Sequence, residues 1–171
     1  MHKGLDIIIR YIFAVMLAAS ASWLLIVISP LTWWFSASIT KVMYAVTLVG
    51  DGLLVKDVVL QFIPACAAIP AYVLLGLLVL TTRGLSWGNR WLLFLLGSFW
   101  VFVINIVRIV VLIIVRIELG KNFFNVVHLF FWHIAASIIV VGIWWWLVKR
   151  FHIQSTPVID DAKELWLLFS R

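Results

Sequence analysis

Three side chains on separate apolar stretches of this sequence could together perform nucleophilic chemistry: Cys66, Arg108 and His128. Cys66 is the only cysteine among 171 residues, so it has no intramolecular disulfide partner. Arg108 lies within the apolar run 101–115, where an unpaired charge is costly in a membrane. His128 follows in the first turn of another apolar run. Whether the three can act together depends on the helices that carry them.

These residue types favour nucleophilic acyl transfer. Cys66 lies two residues after Pro64 near the predicted start of a helix, where the helix dipole favours a thiolate. His128 could accept the thiol proton and return it to a leaving amine. Arg108 could hold a substrate carbonyl or stabilise the oxyanion, and Asn105, on the same helical face, could orient its guanidinium.

Each of these residues can also be explained by a purely structural role. A single cysteine in an apolar helix is commonly a small buried hydrophobe. A histidine in the first turn of a span is compatible with the wet interface, and an arginine near a helix end can snorkel to that interface. His133, five residues after His128, points well away from it and is interpreted as a packing or interfacial residue.

Composition predicts an all-α integral membrane protein. The chain is 65% hydrophobic and 12% charged, and a soluble domain of this size could not hide that much apolar surface. Helices are expected because lipid offers no partner to exposed backbone groups. The net charge of +6 does not indicate nucleic acid binding, since the cations lie at the ends of apolar runs. A single cysteine excludes a disulfide framework and a Cys-cluster metal site, and no cofactor is expected.

Apolar runs of about 20 residues predict about four transmembrane helices. These runs are residues 7–29, 65–82, 91–114 and 126–148. The first is expected to be an uncleaved helix, because its apolar stretch continues past the small residues at which a signal peptide would be cut.

The segment between the first two predicted spans has a different character. Residues 31–48 mix apolar residues with Trp, Ser, Thr and Lys41, which is typical of a helix lying in the membrane interface. Gly50-Asp51-Gly52 is a turn signal, and residues 53–63 could form a small hairpin on the outer face.

The placement of Lys and Arg favours a multi-pass protein of the cell membrane with a cytoplasmic N-terminus. On this basis the cations on the cytoplasmic side are Lys3, Arg10, Arg83, Arg90, Lys149 and Arg150, and those on the outer side are Lys41, Lys56, Arg116 and Lys121. If residues 31–48 span the membrane, the later helices have the opposite orientation and keep their mutual arrangement. Residues 1–150 are expected to form a single membrane-embedded domain. Residues 151–171 are expected to be a cytoplasmic tail with a short amphipathic helix.

Helix rise predicts that the three candidate side chains lie at the same depth. The short loop between Arg83 and Arg90 marks the cytoplasmic face. At 1.5 Å per residue, the distances from the basic cytoplasmic ends of their helices are about 25 Å for Cys66, about 27 Å for Arg108 and about 31 Å for His128. Each is close to the hydrocarbon thickness of about 30 Å, so all three are expected at the outer face.

Three motifs in this chain resemble those of the exosortase/archaeosortase family. Pro64-Ala65-Cys66-Ala67-Ala68-Ile69 is similar to the family's P-A-C-x-x-[IL] motif, and Asn105-Ile106-Val107-Arg108-Ile109 is similar to its N-x-[LV]-R-[IV] motif. Val127-His128, followed by aromatic residues and then by Gly142-Ile143-Trp144, resembles its third motif. The resemblance covers about residues 45–150 and looks most like the short archaeal branch, including the pacearchaeosortase type.

The resemblance implies a membrane cysteine transpeptidase that processes C-terminal sorting signals of secreted proteins. Such a signal is a short motif, a transmembrane helix and a basic cluster. The enzyme would cut near the motif and pass the new C-terminus to an acceptor, commonly a lipid. By motif position, Cys66 is the nucleophile, His128 the base and acid, and Arg108 the third catalytic residue. The chain departs from many members at Ala68, where a glycine is common and the added methyl restricts the backbone.

Two other functions also fit the sequence. The first is a non-enzymatic membrane scaffold or transporter subunit, in which Arg108 would act as a gating residue or contact lipid headgroups. Against a transporter, the longer spans lack Asp and Glu to line a proton or cation path. The second is thiol acyl transfer to lipids without peptide cleavage, which differs only in the acyl donor.

Overall fold

Six helices and a small sheet make up the described part of the chain, which is residues 2–49, 52–153 and 166 of this computed structural model. The helices are α1 (His2–Ala19), α2 (Ala21–Met43), α3 (Ile69–Thr81), α4 (Trp87–Glu118), α5 (Gly120–Phe130) and α6 (Ala136–Arg150). Between α2 and α3 lie the strands β1 (Val46–Val49), β2 (Gly52–Val55) and β3 (Val58–Gln61), followed by a 3-10 turn (Pro64–Ala67).

Three helical segments among the described residues are long and apolar enough to cross a membrane: Ala21–Met43, Pro64–Thr81 and Trp87–Glu118. The mostly helical fold and these segments agree with an all-α membrane protein. The fourth predicted span, 126–148, is divided between α5 and α6 by a π-helical turn (Phe131–Ala135). Neither helix by itself reaches the length of a span, since α5 has 11 residues and α6 has 15.

The first predicted span, 7–29, has the wrong boundaries. Helix α1 ends at Ala19, and α2 continues without interruption through Pro30. Pro30 has no N–H to donate to the Ile26 carbonyl, yet the helix continues on both sides of it, as helices in membranes commonly do. The predicted interfacial helix, 31–48, is therefore mainly the second half of α2, whose hydroxyl-bearing face is buried against the protein.

The predicted hairpin is present and has one strand more than expected. The three strands are antiparallel in the order β1-β2-β3, with Val46 opposite Val55 and Val55 opposite Val58. The turn between β2 and β3 places Lys56 and Asp57 at positive φ, 44° and 64°, as tight hairpin turns require. The central strand β2 is buried, and its cluster includes Ala37 of α2.

The sheet is joined to the C-terminal end of α4 by a polar contact at the surface. Lys56 Nζ donates to Glu118 Oε1 at 2.8 Å, and the Tyr44 hydroxyl donates to the same oxygen at 3.2 Å. The hydrogen bond to Glu118 raises the pKa of Lys56. The ion pair is exposed, so it adds little stability and serves mainly to position the sheet beside α4.

Helix α3 lies at the centre of the core and packs against α1, α4 and α6. Its Leu75 is fully buried, and Gly97 of α4 lies so close that a Cβ there would meet Leu75 Cδ2 at 2.7 Å. Gly76 of α3 leaves room in the same way for Leu17 of α1. Small residues at such contacts allow helix backbones to approach closely, as in other membrane helix pairs.

Two arginine side chains cap the C-terminal end of α3. Arg90 Nη1 donates to the carbonyls of Val79, Leu80 and Thr82 at 2.9, 2.7 and 2.9 Å. Arg10 Nη1 donates to the Leu80 carbonyl at 3.3 Å, and both arginine side chains are buried. The last carbonyls of a helix have no partner within it, so these guanidinium groups satisfy them where water is scarce. Arg10 and Arg90 are therefore buried helix caps and not only charges at the membrane surface.

The predicted amphipathic helix of the tail falls almost entirely on residues outside the described part. Among residues 154–171, the structure describes Trp166, which is helical and exposed.

Replacement of Arg90 is expected to destabilise the fold. Arg90→Leu removes the side-chain donor to the carbonyls of Val79 and Thr82 and leaves Leu80 with the longer bond from Arg10, which should lower the free energy of unfolding by about 3 kcal/mol. Thermal unfolding of the detergent-solubilised protein, followed by tryptophan fluorescence, would measure the change. Arg150→Leu is the matched control, because it removes the same charge from an exposed side chain at the end of α6. Equal Tm values for the two variants would contradict the role assigned to Arg90.

Candidate functional site

Cys66 lies in a rigid turn between the sheet and α3. Pro64 is at the first position of the 3-10 turn, and the Cys66 N–H donates to the Ile63 carbonyl at 2.8 Å. Pro70 is in the first turn of α3, which begins only at Ile69. Proline favours such starting positions because its φ is already helical. Cys66 thus precedes the α3 N-terminus by three residues, in its own short helical turn, and its side chain is half-buried.

The chain leaves this turn through a left-handed residue. Ala68 has φ 52° and ψ 35°, a conformation that glycine adopts freely and that costs an alanine about 1 kcal/mol. This is the position at which many members of the resembled family carry glycine. The turn therefore keeps the backbone path that glycine favours, with an alanine in the strained position.

Asn105 of α4 holds the cysteine turn in place. Its Nδ2 donates to the Cys66 carbonyl at 2.8 Å, and the side chain is 4% exposed. The sequence predicted that Asn105 would orient Arg108 instead. Its Oδ1, however, has no hydrogen-bond partner among the described residues, so the bond it makes is to the cysteine turn.

Arg108 lies on α4 one turn after Asn105, the residue that bonds to the cysteine turn, and its side chain is 8% exposed. Its Nε is buried without a hydrogen-bond partner among the described residues. Arg108 therefore lies on the part of α4 that contacts the cysteine turn.

The tight connection between α4 and α5 places His128 at this site. The connection passes through Gly120, whose φ of 83° favours glycine, and α5 then packs back against α4. The His128 ring stacks on Phe124, with ring centroids 5.5 Å apart and an interplanar angle of 17°. Phe124 precedes His128 by four residues, a spacing that places two side chains on one helical face and could have identified it from sequence.

A mainly apolar cavity of about 100 Å³ opens beside Cys66. Its walls include Ala37 of α2, Leu60 of β3, Ile109 of α4 and Phe124 of α5. His128 adjoins the cavity through its stacking on Phe124. This cavity could not be predicted from the sequence, because the part of α2 that forms one wall was expected to lie at the membrane surface.

The third motif is divided between the two ends of the molecule. Trp144 Nε1 donates to Thr82 Oγ1 at 3.0 Å, at the arginine-capped end of α3 and away from Cys66. The side chain of His133 lies outside the described part of the structure. Among the described side chains of this motif, His128 lies at the candidate site through its stacking on Phe124, and Trp144 does not.

The chain matches no protein-family model, no curated protein and no solved structure. The resemblance to a family of membrane transpeptidases therefore rests on the three motifs in the sequence.

Replacement of Ala68 by glycine is expected to stabilise the protein. The change relieves the strain of the left-handed backbone conformation at position 68, and the free energy of unfolding should rise by about 1 kcal/mol. Thermal unfolding in detergent would measure it. Ala67→Gly, at the neighbouring buried position with ordinary φ, is the control and should lose stability. A lower Tm for Ala68→Gly would show that the side chain matters more than the backbone strain.

Proposed function

We propose that this protein is a membrane cysteine transpeptidase that cleaves C-terminal sorting signals and transfers the processed protein to an acceptor, in most cases a lipid. One geometric observation carries the proposal: Asn105, one turn before Arg108 on α4, bonds to the Cys66 turn, and the cavity beside Cys66 is lined by Phe124, on which His128 stacks. Cys66, Arg108 and His128 are the residues that match the motifs of the exosortase/archaeosortase family.

In the first step, the Cys66 sulfur attacks the carbonyl carbon of the scissile peptide bond while His128 takes up the thiol proton. The negative charge that develops on the carbonyl oxygen is stabilised by Arg108, whose Nε is buried without a partner and can donate. The carbon–nitrogen bond then breaks, and His128 returns the proton to the leaving amine. The product is a thioester on Cys66 and a released C-terminal peptide.

In the second step, a nucleophilic hydroxyl or amine of the acceptor gives its proton to His128 and attacks the thioester carbonyl. The carbon–sulfur bond breaks, and the proton returns to Cys66. Arg108 serves both steps, because each passes through an oxyanion at the same carbonyl. Its fixed charge also offsets the cost of a thiolate in apolar surroundings.

The placement of the site favours the extracytoplasmic side of the membrane. The cysteine turn lies beside the sheet at one end of α3, and the opposite end is held by Arg10 and Arg90, near the basic end of α6. Cations concentrate on the cytoplasmic side of membrane proteins. A substrate anchored by its own transmembrane helix would be held at the depth of Cys66, which raises the effective concentration of the scissile bond.

Processing of a sorting substrate is expected to require Cys66 and Arg108. The substrates to coexpress are secreted proteins from the same genome that end in a short motif, an apolar helix and a basic cluster. Cys66→Ala should abolish the mass shift that accompanies cleavage. Arg108→Gln should lower the rate by at least about 100-fold, as loss of an oxyanion donor does, while the protein remains folded.

Arg116→Gln is the matched control, because Arg116 lies about two turns further along α4 and is not among the residues that line the cavity beside Cys66. It should leave processing unchanged. Hydroxylamine, which cleaves thioesters, should release a shortened substrate from the wild type and none from Cys66→Ala. Undiminished processing by Cys66→Ala would refute the proposed function.

A further inference from the structure

The cavity beside Cys66 has the size and lining of a site for an aliphatic group. Its volume of about 100 Å³ is roughly three times the ~30 Å³ that a water molecule occupies in the liquid. This is close to the space that one medium-sized aliphatic side chain fills.

The cavity exists partly because α2 carries a small residue at its wall. Ala37 is 3% exposed and packs in the buried cluster around Leu53 and Val55 of β2. A larger aliphatic side chain at this position would extend into the space beside Cys66. Position 37 therefore controls how much of the cavity is open.

Ser36 of α2 carries a buried hydroxyl at the wall of the cavity that has no hydrogen-bond partner among the described residues. Other hydroxyl side chains of α2, those of Thr32, Ser38 and Thr40, donate to the carbonyl four residues earlier at 2.8, 2.8 and 2.7 Å. This bond is the usual way in which a helix in an apolar environment satisfies a hydroxyl. Ser36 also lines the cavity and is 3% exposed, but its Oγ has no hydrogen-bond partner among the described residues.

We propose that this cavity is a substrate pocket that takes the aliphatic side chain of the residue acylated on Cys66, while Ser36 donates a hydrogen bond to a backbone carbonyl of the substrate. The inference rests on the proposed transpeptidase function and adds the chemistry of the substrate at the cleavage position. An apolar pocket with one directed polar group fixes both the depth and the orientation of a peptide. Ser36 is thus a positioning residue, not a catalytic one.

Alkyl methanethiosulfonates test the pocket without any peptide substrate. The Cys66 thiolate attacks the sulfenyl sulfur, forms a mixed disulfide and releases methanesulfinate, so the rate reports how well the alkyl group fits beside the thiol. The butyl reagent should react at least about tenfold faster than the methyl reagent, after correction for their rates with a free thiol, because more methylene groups are buried.

Filling the pocket should remove this preference. Ala37→Leu is expected to bring the butyl and methyl rates together, and Ala37→Val should have a smaller effect in the same direction if the larger variant does not fold. Ala18→Leu, at an exposed position of α1, is the matched control and should retain the preference. A preference unchanged in a folded Ala37→Val or Ala37→Leu protein would overturn the pocket. Faster labelling by octyl than by butyl reagents would also overturn it, since that result indicates a site for a lipid chain.

Peptide processing tests Ser36. Ser36→Ala should lower kcat/KM about tenfold, mainly through KM, because one neutral hydrogen bond to the substrate is lost. The same change should leave Tm equal or higher, since it removes a buried hydroxyl that has no partner. Ser38→Ala is the control, as that hydroxyl is exposed and already bonded to the Trp34 carbonyl. A lower Tm with an unchanged KM would show that Ser36 is merely structural.

The two proposals fail in different ways. If Cys66→Ala still processes substrates, the transpeptidase proposal fails, whereas the alkyl series on the wild type still determines whether the pocket exists. If processing requires Cys66, substrates with Leu or Val at the acylated position should outcompete those with Gly or Trp. Ala37→Leu should then shift the preference toward Gly, and the absence of that shift would refute the pocket alone.

Discussion

The hydrogen bond from Asn105 to the carbonyl of Cys66 is the contact on which the site depends. It joins the turn that carries the thiol to α4, the helix that carries Arg108. Asn105 is 4% exposed, so little water competes for its amide, and the bond helps to fix the relative position of the two elements. Arg108 follows one turn later, on the part of α4 that contacts the cysteine turn.

The two ends of α3 use buried polar groups in opposite ways. At the C-terminal end, Arg90 donates to three carbonyls, and the hydrogen bond between Trp144 and Thr82 adds α6 to the same network. At the other end, Ser36, Asn105 and Arg108 each bury a polar atom that has no hydrogen-bond partner among the described residues. Native proteins seldom leave such atoms unpaired, and a peptide between Ser36 and Arg108 would supply the missing partners. The donors at the C-terminal end of α3 thus satisfy its backbone, whereas polar atoms near the cysteine turn are left for the proposed substrate.

The sheet and the helices α2, α4 and α5 together hold the residues of the candidate site in place. The sheet continues directly into the turn, and its buried central strand packs on α2, so the turn is supported from outside the helical bundle. Gly120 reverses the chain tightly enough for α5 to lie on α4, with His128 stacked on Phe124 at the cavity beside Cys66. Cys66 and His128 are therefore positioned by short, constrained connections, whereas Arg108 is held within the long helix α4.

The sequence by itself determined the helical membrane class, the hairpin near residues 53–63 and the choice of Cys66, Arg108 and His128 as a set. These follow from composition, from local turn residues and from helix rise, all of which act over short stretches of chain. It could not determine that α2 runs through Pro30, that Asn105 bonds to the cysteine turn, or that Ala37 and Ser36 face a cavity. Those depend on which helix faces lie together, since packing between elements decides which side chains meet at the cysteine turn. Only the tertiary structure shows that α2, α4 and α5 meet beside that turn, because the lateral arrangement of helices cannot be inferred from spacing along the chain.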